Sequence, residues 1–187
     1  QARRRGAVSA GVEQVVLVDQ DDRPTGVAGK MAAHRAGVLH RAFSVLVWNS
    51  RGEVLLQKRA RSKYHSGGLW TNACCGHPRP GEDVAAAASR RLKEELGFTC
   101  PLTAIGELTY RADLDQGLIE HEFVHVFRGF YEGEMTPDPA EVEDLKWVTP
   151  EVLLQTFDET PEIFTAWFVK YMRAGWPLER ADPAAGP

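Results

Sequence analysis

The 187-residue chain has few cysteines, no long apolar run and no excess of basic residues. Its three cysteines are too few, and odd in number, for a disulfide framework, which indicates reduced thiols in a cytosol-like compartment. The apolar runs at residues 15–18 and 45–48 are far shorter than the roughly 20 residues that span a bilayer. The formal net charge of −4 disfavours general nucleic-acid binding, because a polyanion requires a basic surface. We therefore expect a cytoplasmic protein that binds neither membranes nor nucleic acids.

Internal repeats and low-complexity linkers are also absent, and glycines and prolines fall between short elements rather than between two large blocks. Residues 1–10 contain three arginines without an apolar segment behind them, unlike a secretory signal. We expect flexible tails at residues 1–10 and 177–187 and a single domain over residues 11–176, present as a monomer or a weak dimer.

Runs rich in β-branched and aromatic residues predict six strands, and the turn sequence at residues 49–52 predicts a hairpin between the second and the third. The predicted strands cover residues 13–19, 42–48, 54–59, 102–110, 119–131 and 145–148. Helices are predicted at residues 83–96, followed by Gly97, and at residues 150–155 and 161–173, each with a threonine before a first-turn proline.

One carboxylate of the predicted helix at residues 83–96 faces inward. Apolar residues recur every four positions from Val84 to Leu96, and at about 100° per residue Glu95 falls within this stripe. A buried carboxylate needs a cationic partner. Arg91, one turn earlier, would form a pair worth only about 0.2–0.5 kcal/mol at a surface, so we favour a metal ion.

Histidine and glutamate side chains supply further candidate metal ligands. In a strand, Glu120 and Glu122 lie on one face, and a divalent ion would relieve the repulsion between them. His34 and His40 flank a glycine-containing turn, and either one alone would ordinarily be structural or solvated. The set that suits Mg²⁺, Mn²⁺ or Zn²⁺ comprises three nitrogens and two oxygens, from His34, His40, His77, Glu120 and Glu122.

A thiol precedes His77 by two residues. Pro78 biases His77 toward an extended backbone, so Cys75 and His77 can face the same side, whereas Cys74 would point to the opposite side. An ordinary thiol has a pKa of about 8.5, which permits proton transfer near neutral pH in either direction.

Two further features each admit two interpretations. Lys58, Arg59, Arg61 and Lys63 place four cations within six residues. Such a cluster is ordinarily a solvated loop, and an anion-binding site is the alternative. Trp167 would ordinarily be core packing unless the site requires an aromatic wall.

Residues 72–98 resemble the box of the Nudix superfamily, whose members act on diphosphates. The matching positions are Gly76, Glu82, Arg90, Leu92, Glu94, Glu95, Gly97 and Phe98. The hydrolases of that superfamily usually carry a glutamate where this chain has Arg91. One carboxylate of their metal cluster is therefore missing, which makes hydrolysis a weaker hypothesis.

Further motifs resemble one Nudix-fold family, the type 1 isopentenyl-diphosphate delta-isomerases, over about residues 15–176. They are PTGVAGKMAAH ending at His34, LHRAFSV around His40, RARSK ending at Lys63, WTNACCGHP around Cys75, RRLKEELG around Glu95, TYRA around Tyr110, IEHE ending at Glu122 and IFTAWF around Trp167. Residues 64–69 depart most from the family's forms. The resemblance implies an α+β Nudix fold, with mixed β-sheets packed between helices and N-terminal additions, as a catalytic domain over residues 11–176.

The resemblance also implies the composition of the site. The implied metal ligands are His34, His40, His77, Glu120 and Glu122 for Mn²⁺, Mg²⁺ or Zn²⁺, and Glu95 for a second Mg²⁺ that bridges to the substrate diphosphate. No flavin is implied. The implied substrate-binding residues are Lys30, Arg59, Lys63 and Arg91, and the implied catalytic residues are Cys75, Glu122, Tyr110 and Trp167.

In this family Cys75 and Glu122 are the acid–base pair that converts isopentenyl diphosphate to dimethylallyl diphosphate in isoprenoid biosynthesis. One proton is added to the terminal alkene carbon, giving a tertiary carbocation-like intermediate, and another is removed from C2. Trp167 would stabilise the cation by about 2 kcal/mol through its ring face. Tyr110 would orient or relay the proton of Glu122.

Two other functions remain open. A Nudix pyrophosphohydrolase would use metal-activated water, and a binding module would use the ligand cluster only to stabilise its fold. Arg91 and the Cys-Gly-His-Pro run count against the first, and the joint presence of Cys75, Glu122 and Tyr110 counts against the second.

Overall fold

The computed structural model describes residues 12–174, and the predicted tails at residues 1–10 and 177–187 lie outside the described range. The strands are β1 (Gln14–Val18), β2 (Pro24–Gly29), β3 (His40–Trp48), β4 (Val54–Arg59), β5 (Trp70–Asn72), β6 (Cys74–Gly76), β7 (Leu102–Asp113), β8 (Ile119–Phe130) and β9 (Val142–Val148). The helices are α1 (Lys30–Ala36), α2 (Val84–Leu96), α3 (Pro150–Glu159) and α4 (Ala166–Arg173). None of the helices within residues 12–174 has the length and apolar character to span a bilayer.

β3 lies at the centre of a nine-stranded mixed sheet. It runs antiparallel to β1, β4 and β6 and parallel to β8. β2 extends the sheet beyond β1, β7 pairs with β8, and β5 and β9 pair with β4. The parallel pairing places His40 beside Glu122, so the sheet register itself brings together residues that are distant in sequence.

Helices cover both faces of the sheet because residues of β3 alternate between two hydrophobic cores. Phe43 and Val45 belong to the core under α2, whereas Leu46 and Trp48 belong to the core that includes α3 and α4. Each fully buried side chain of this kind stabilises the fold by roughly 1.5–3 kcal/mol. The predicted α+β arrangement, with a mixed sheet between helices, is confirmed.

The prediction for α2 is confirmed in its ends and its inward face. The Asp83 carboxylate accepts a hydrogen bond from the Ala86 amide at 3.0 Å, and Gly97 ends the helix with a φ of 80°. Glu95 is buried on the apolar face, while Glu94 is exposed. The apolar face of α2 therefore directs Glu95 toward the interior of the protein.

Several short elements differ from the prediction. The structure adds α1, which Gly37 ends with a φ of 63°, as well as β2, β5 and β6. α1 has seven residues and β5 and β6 have three each, which is too short for a readable hydrophobic period. β2 contains a proline and two glycines, which are depleted in strands. α3 continues to Glu159, beyond the predicted end at residue 155.

The predicted helix at residues 161–173 is wrong in its first part. Pro161–Ile163 forms only a 3-10 turn, and Phe164 is extended and bridges to Trp70. α4 therefore begins only at Ala166, because this bridge draws the chain toward the sheet.

Candidate active site

One cavity brings together most of the residues that the sequence singles out. It encloses ≈ 500 Å³, its open mouth included, which is within the range of small-molecule sites. The predicted residues on its wall are Lys30, Arg59, Lys63, Cys75, His77, Arg91, Glu95, Tyr110, Glu120, Glu122 and Trp167. His34 and His40 are fully buried beside it, with ring centres 5.6 and 5.1 Å from that of His77.

The register of three strands places Glu122 at the centre of this cavity. β3 positions His40 on one side of Glu122, and β7 positions Tyr110 on the other. The Tyr110 hydroxyl lies 2.8 Å from Glu122 Oε2 and 2.8 Å from Glu120 Oε2. Because a hydroxyl has one proton, it can donate to only one of these carboxyl groups at a time. Both glutamates are buried on the same face of β8, as the period of two predicts.

Backbone carbonyls orient two buried imidazoles toward the same point. His34 Nδ1 lies 2.7 Å from Lys30 O, and His40 Nδ1 lies 2.8 Å from Val38 O. Each Nδ1–H therefore donates to a carbonyl, which leaves the lone pair on Nε2. Both Nε2 atoms are buried and lack a hydrogen-bond partner among the described residues. An oriented imidazole with an unused Nε2 is the arrangement of a histidine metal ligand.

The nitrogen and oxygen donors fit a divalent ion. Two groups of ligand atoms lie within 4.8 Å of one another: those of His34, His40, His77 and Glu122, and those of His34, His65 and Glu120. Imidazoles combined with carboxylates suit Zn²⁺, Mn²⁺ and related ions. All five predicted ligands occur in these groups, and the structure adds His65, which the sequence did not predict.

Burial and neighbouring groups shift the pKa values of Glu120 and Glu122 in opposite directions. Burial, together with repulsion by Glu122, raises the pKa of Glu120 well above its usual range. Burial also acts to raise the pKa of Glu122, but the His40 and His77 imidazoles lower it well below that range. His77 Nε2 lies 2.8 Å from Glu122 Oε1. Burial lowers the pKa of His77 to about 4, so its ring is neutral at neutral pH and can bind a metal.

Cys75 faces the cavity from β6, whereas Cys74 lies fully buried in the core under α2. The Cys75 thiol lies 3.2 Å from Asn72 Oδ1 and 3.0 Å from Ser44 Oγ. Burial raises the pKa of Cys75 to about 12, although these hydrogen bonds oppose the rise. The ordinary value of about 8.5 assumed from the sequence is therefore too low. The thiol carries its proton at neutral pH.

Trp167 completes the buried part of the site, which we call the inner chamber and define by Cys75, Tyr110, Glu122 and Trp167. The indole is 3% exposed. The guanidinium carbon of Arg59 lies 5.1 Å from the centre of the indole ring, within the range of a cation–π contact. Trp167 thus belongs to the hydrophobic core and also lines the cavity, where its ring contacts a cation.

The part of the site with more exposed side chains carries cations that are paired with carboxylates. We call it the outer cleft and define it by Glu13, Lys30, Lys63, Arg91 and Glu141. Lys30 Nζ lies 3.0 Å from Glu13 Oε2. Glu141 pairs with Lys63, and its Oε2 lies 3.5 Å from Arg91 Nη2. Three of the four predicted substrate-binding cations therefore already have an anionic partner.

Glu95 lies between the two parts of the site. Its Oε1 accepts a hydrogen bond from Arg91 at 2.5 Å, and its Oε2 accepts one from Gln57 at 2.9 Å. The pair with Arg91 that the sequence offered as the weaker alternative is therefore formed. A Mg²⁺ ion at Glu95 stays a prediction, and it would have to replace Arg91 as the partner of Glu95 Oε1.

The basic cluster before the site divides into two pairs. Lys58 and Arg61 both bind Glu143 and do not line the cavity. Arg59 and Lys63 do line it. Lys58 and Arg61 thus fit the interpretation as a solvated surface, whereas anion binding by Arg59 and Lys63 stays a prediction. Lys58 and Arg59 face opposite sides because they are adjacent in β4.

Sequence reasoning missed several residues that line or support the cavity. Asn72 donates to Ser44 Oγ at 3.1 Å, and Ser44 donates to the Tyr171 hydroxyl at 3.1 Å. Tyr64 and His65 also line the cavity, in the segment that departs from the family's forms. The sequence offered one signal for these residues, namely Ser44 within the apolar strand β3. A buried hydroxyl needs a hydrogen-bond partner, so Ser44 indicated polar neighbours.

Comparison with solved structures defines the class of fold. The chain superposes on a crystal structure of a protein from Deinococcus radiodurans with a TM-score of 0.74, at 20% identity, over 88% of this chain and 100% of that one. It superposes on the MutT protein of Methanosarcina mazei Go1 with a TM-score of 0.60, at 22% identity, over 73% of this chain and 91% of that one. The NUDIX domain family model matches residues 38–168. The fold is that of a NUDIX domain.

Named relatives narrow this class. The isopentenyl-diphosphate Delta-isomerase of Burkholderia multivorans is 52% identical over 167 residues, which cover 89% of this chain and 95% of that protein. The isopentenyl-diphosphate Delta-isomerase 2 of Photorhabdus laumondii is 51% identical over 158 residues, which cover 84% and 89%. The chain therefore belongs to the isopentenyl-diphosphate Delta-isomerase family of NUDIX domain proteins.

Proposed function

We propose that this protein converts isopentenyl diphosphate to dimethylallyl diphosphate, as a monomer or weak dimer in the cytoplasm. The observation that carries the proposal is the inner chamber, where a protonated thiol and a carboxylate face one cavity. Family membership supports the substrate. The three free cysteines, Cys74, Cys75 and Cys100, support a reducing compartment.

Cys75 and Glu122 act as the acid–base pair of the reaction. An unactivated alkene is a poor base, so the proton donor must be positioned in a water-poor site. One member of the pair adds a proton to the terminal carbon, which gives a tertiary carbocation-like intermediate, and the other removes a proton from C2. Ser44 and Asn72 hold the thiol through their hydrogen bonds, and Tyr110 orients the carboxyl of Glu122.

Trp167 stabilises the positive charge that develops between these two proton transfers. An indole face attracts a cation without forming a covalent bond to it, unlike a nucleophilic side chain. A desolvated contact of about 2 kcal/mol corresponds to a rate factor of roughly 30. The guanidinium of Arg59 over the same indole supports this assignment.

The diphosphate is bound in the outer cleft and at its border with the inner chamber. The cations assigned to it are Lys30, Arg59, Lys63 and Arg91. His34, His40, His77, Glu120 and Glu122 would hold one divalent ion, Mn²⁺, Mg²⁺ or Zn²⁺, and Glu95 together with the diphosphate would hold Mg²⁺. When bound, these ions supply positive charge beside the buried carboxylates and the phosphate oxygens. Arg91 supplies a cation where the hydrolases carry a carboxylate, which favours binding a diphosphate over cleaving it.

Proton exchange tests the proposed function directly. The protein is incubated with isopentenyl diphosphate and a divalent ion in deuterated water, and carbon-bound deuterium and phosphorus signals are followed by NMR. We expect deuterium in the five-carbon product and an intact diphosphate. Unlabelled product would contradict the proton transfers, and released phosphate or pyrophosphate would indicate hydrolysis instead.

A further inference from the structure

A sixth side chain, His65, faces the proposed metal site. It lies in the segment before β5 that departs from the forms of the family, and it is 3% exposed. Its ring stacks on that of His34, with ring centres 5.9 Å apart. A buried imidazole packed against another one has lost much of its hydration, so its free nitrogen needs a partner inside the protein.

Contacts with neighbouring residues hold this imidazole in one orientation. The Arg59 guanidinium donates to His65 O at 3.1 Å, and the Ser66 amide donates to Asp115 Oδ1 at 3.2 Å. Ser66 has a φ of 53°, in the left-handed region that a serine rarely adopts. His65 Nδ1 lies 3.1 Å from Ser66 Oγ. Nε2 is therefore the nitrogen left for the cavity.

The free nitrogen of His65 points toward a proposed metal ligand, Glu120. His65 Nε2 lies 3.7 Å from Glu120 Oε1, which is too long for a hydrogen bond. Two ligands of one ion at about 2.1 Å are roughly 3.0 Å apart at a right angle and roughly 4.2 Å apart when opposite. The observed separation falls between these limits.

The two groups of ligand atoms share His34, and this residue can serve only one ion. Its Nδ1 is engaged by Lys30 O, so Nε2 is its one available lone pair. One ion at His34 Nε2 would therefore take its other ligands from both groups, His40, His77 and Glu122 in the first and His65 and Glu120 in the second. Because His34 belongs to both groups, one ion at its Nε2 would lie beside both, and ligands of the two groups that are more than 4.8 Å apart would have to move closer to bind it together.

We propose that His65 is an additional ligand of the divalent ion. This inference rests on the metal site of the proposed function and extends it. The six ligands are His34, His40, His65, His77, Glu120 and Glu122. Six protein ligands would close the coordination of the ion, so that no position is left for an attacking water, in contrast to the open position of a catalytic hydrolase site.

Cobalt binding to the metal-free full chain tests this inference without measuring activity. Co²⁺ is titrated into the wild type and His65→Ala, and affinity and visible absorption are recorded. We expect His65→Ala to bind Co²⁺ at least about tenfold more weakly. We also expect stronger absorption per ion, because loss of a ligand lowers the symmetry of the site. Added imidazole should restore the wild-type spectrum.

Two further histidine variants separate the possible outcomes. His125→Ala is the matched control, because His125 pairs with Asp22 and Glu107 outside the cavity, and it should bind Co²⁺ like the wild type. His40→Ala should lose binding if the metal site itself exists. Wild-type affinity and spectrum in His65→Ala, with binding lost in His40→Ala, would overturn the role of His65 and leave the metal site standing. Unchanged binding in both would overturn both. If His65→Ala does not fold by circular dichroism, His65→Asn is judged by the same criteria.

Discussion

The inner chamber and the outer cleft, which would hold two ends of the proposed substrate, differ in their electrostatic environment. In the inner chamber, Tyr110, Glu122 and Trp167 are all buried, and burial keeps the proton on the Cys75 thiol. In the outer cleft, Lys30 pairs with Glu13, and Lys63 pairs with Glu141. Proton transfer needs defined protonation states, whereas diphosphate binding needs charges that can change partners.

This difference follows from the dielectric environment of each part. Ion pairs near a surface contribute about 0–1 kcal/mol, so Lys63 can exchange Glu141 for a phosphate group at small cost. A group in the inner chamber cannot be exchanged in this way, because an unpaired charge left there would cost several kcal/mol. Substitutions in the inner chamber should therefore affect catalysis strongly, and those in the outer cleft should affect binding modestly.

The largest effect is expected for the thiol of the inner chamber. Cys75→Ala should lower the isomerisation rate by roughly 10³-fold or more, because an acid–base group of the reaction is lost. Turnover of isopentenyl diphosphate is measured, with circular dichroism to confirm folding. Cys100→Ala is the control, since Cys100 packs beside Gly129 and does not line the cavity, and it should keep near-normal activity. Glu122→Gln should be as inactive as Cys75→Ala, and near-full activity in either variant would contradict the assigned pair.

A smaller but clear effect is expected on removal of divalent ions. Strong chelation should lower activity at least roughly tenfold, because Nε2 of His34 and His40 and the carboxylate pair lose their common partner. Addition of Mn²⁺ or Mg²⁺ should restore it. Fully retained activity in the chelated protein, with metal content checked by elemental analysis, would show that the inner chamber works without a metal.

Long elements with a clear hydrophobic period could be predicted from the sequence, and short ones could not. α2 carries a capping aspartate, an apolar stripe and a terminal glycine, so its ends and its inward Glu95 agree with expectation. α1 and β6 have seven and three residues, and neither length allows a period to be recognised. Their positions depend on pairing with the sheet, which is a tertiary effect.

The candidate site could be assembled from the sequence only where a family motif covered it. The five predicted metal ligands meet in space because β3 and β8 pair in register, a fact that no local pattern contains. His65 and Glu141 were missed for a related reason. Each lies on a connecting segment, and only the folded chain shows that His65 faces His34 and that Glu141 faces Lys63. The raised pKa of Cys75 likewise depends on burial, which adjacent residues do not determine.

The smallest effect is expected for Glu141→Gln. The sign of its change in diphosphate affinity tests most directly whether the outer cleft differs from the inner chamber. Glu141 neutralises Lys63 and Arg91 in the outer cleft, so Glu141→Gln should free both cations for phosphate oxygens. At the value of an exposed pair, about 0.2–1 kcal/mol, release of the partly buried Lys63 corresponds to a gain in affinity of roughly 1.4- to 5-fold. The measurement is calorimetric titration with inorganic diphosphate, with and without Mg²⁺.

Glu143→Gln provides the matched control for this titration, because Glu143 neutralises Lys58 and Arg61, which do not line the cavity. The two glutamates are two residues apart and each binds two cations, so the variants remove the same charge from neighbouring positions. A gain in diphosphate affinity for Glu141→Gln alone would show that Glu141 occupies the cations of the outer cleft until a diphosphate replaces it. Equal gains in diphosphate affinity in both variants would show that the change in net charge alone causes the effect. Weaker diphosphate binding by Glu141→Gln would mean that the Glu141 carboxylate helps to hold the diphosphate complex. The outer cleft would then need all of its charged groups, as the inner chamber does.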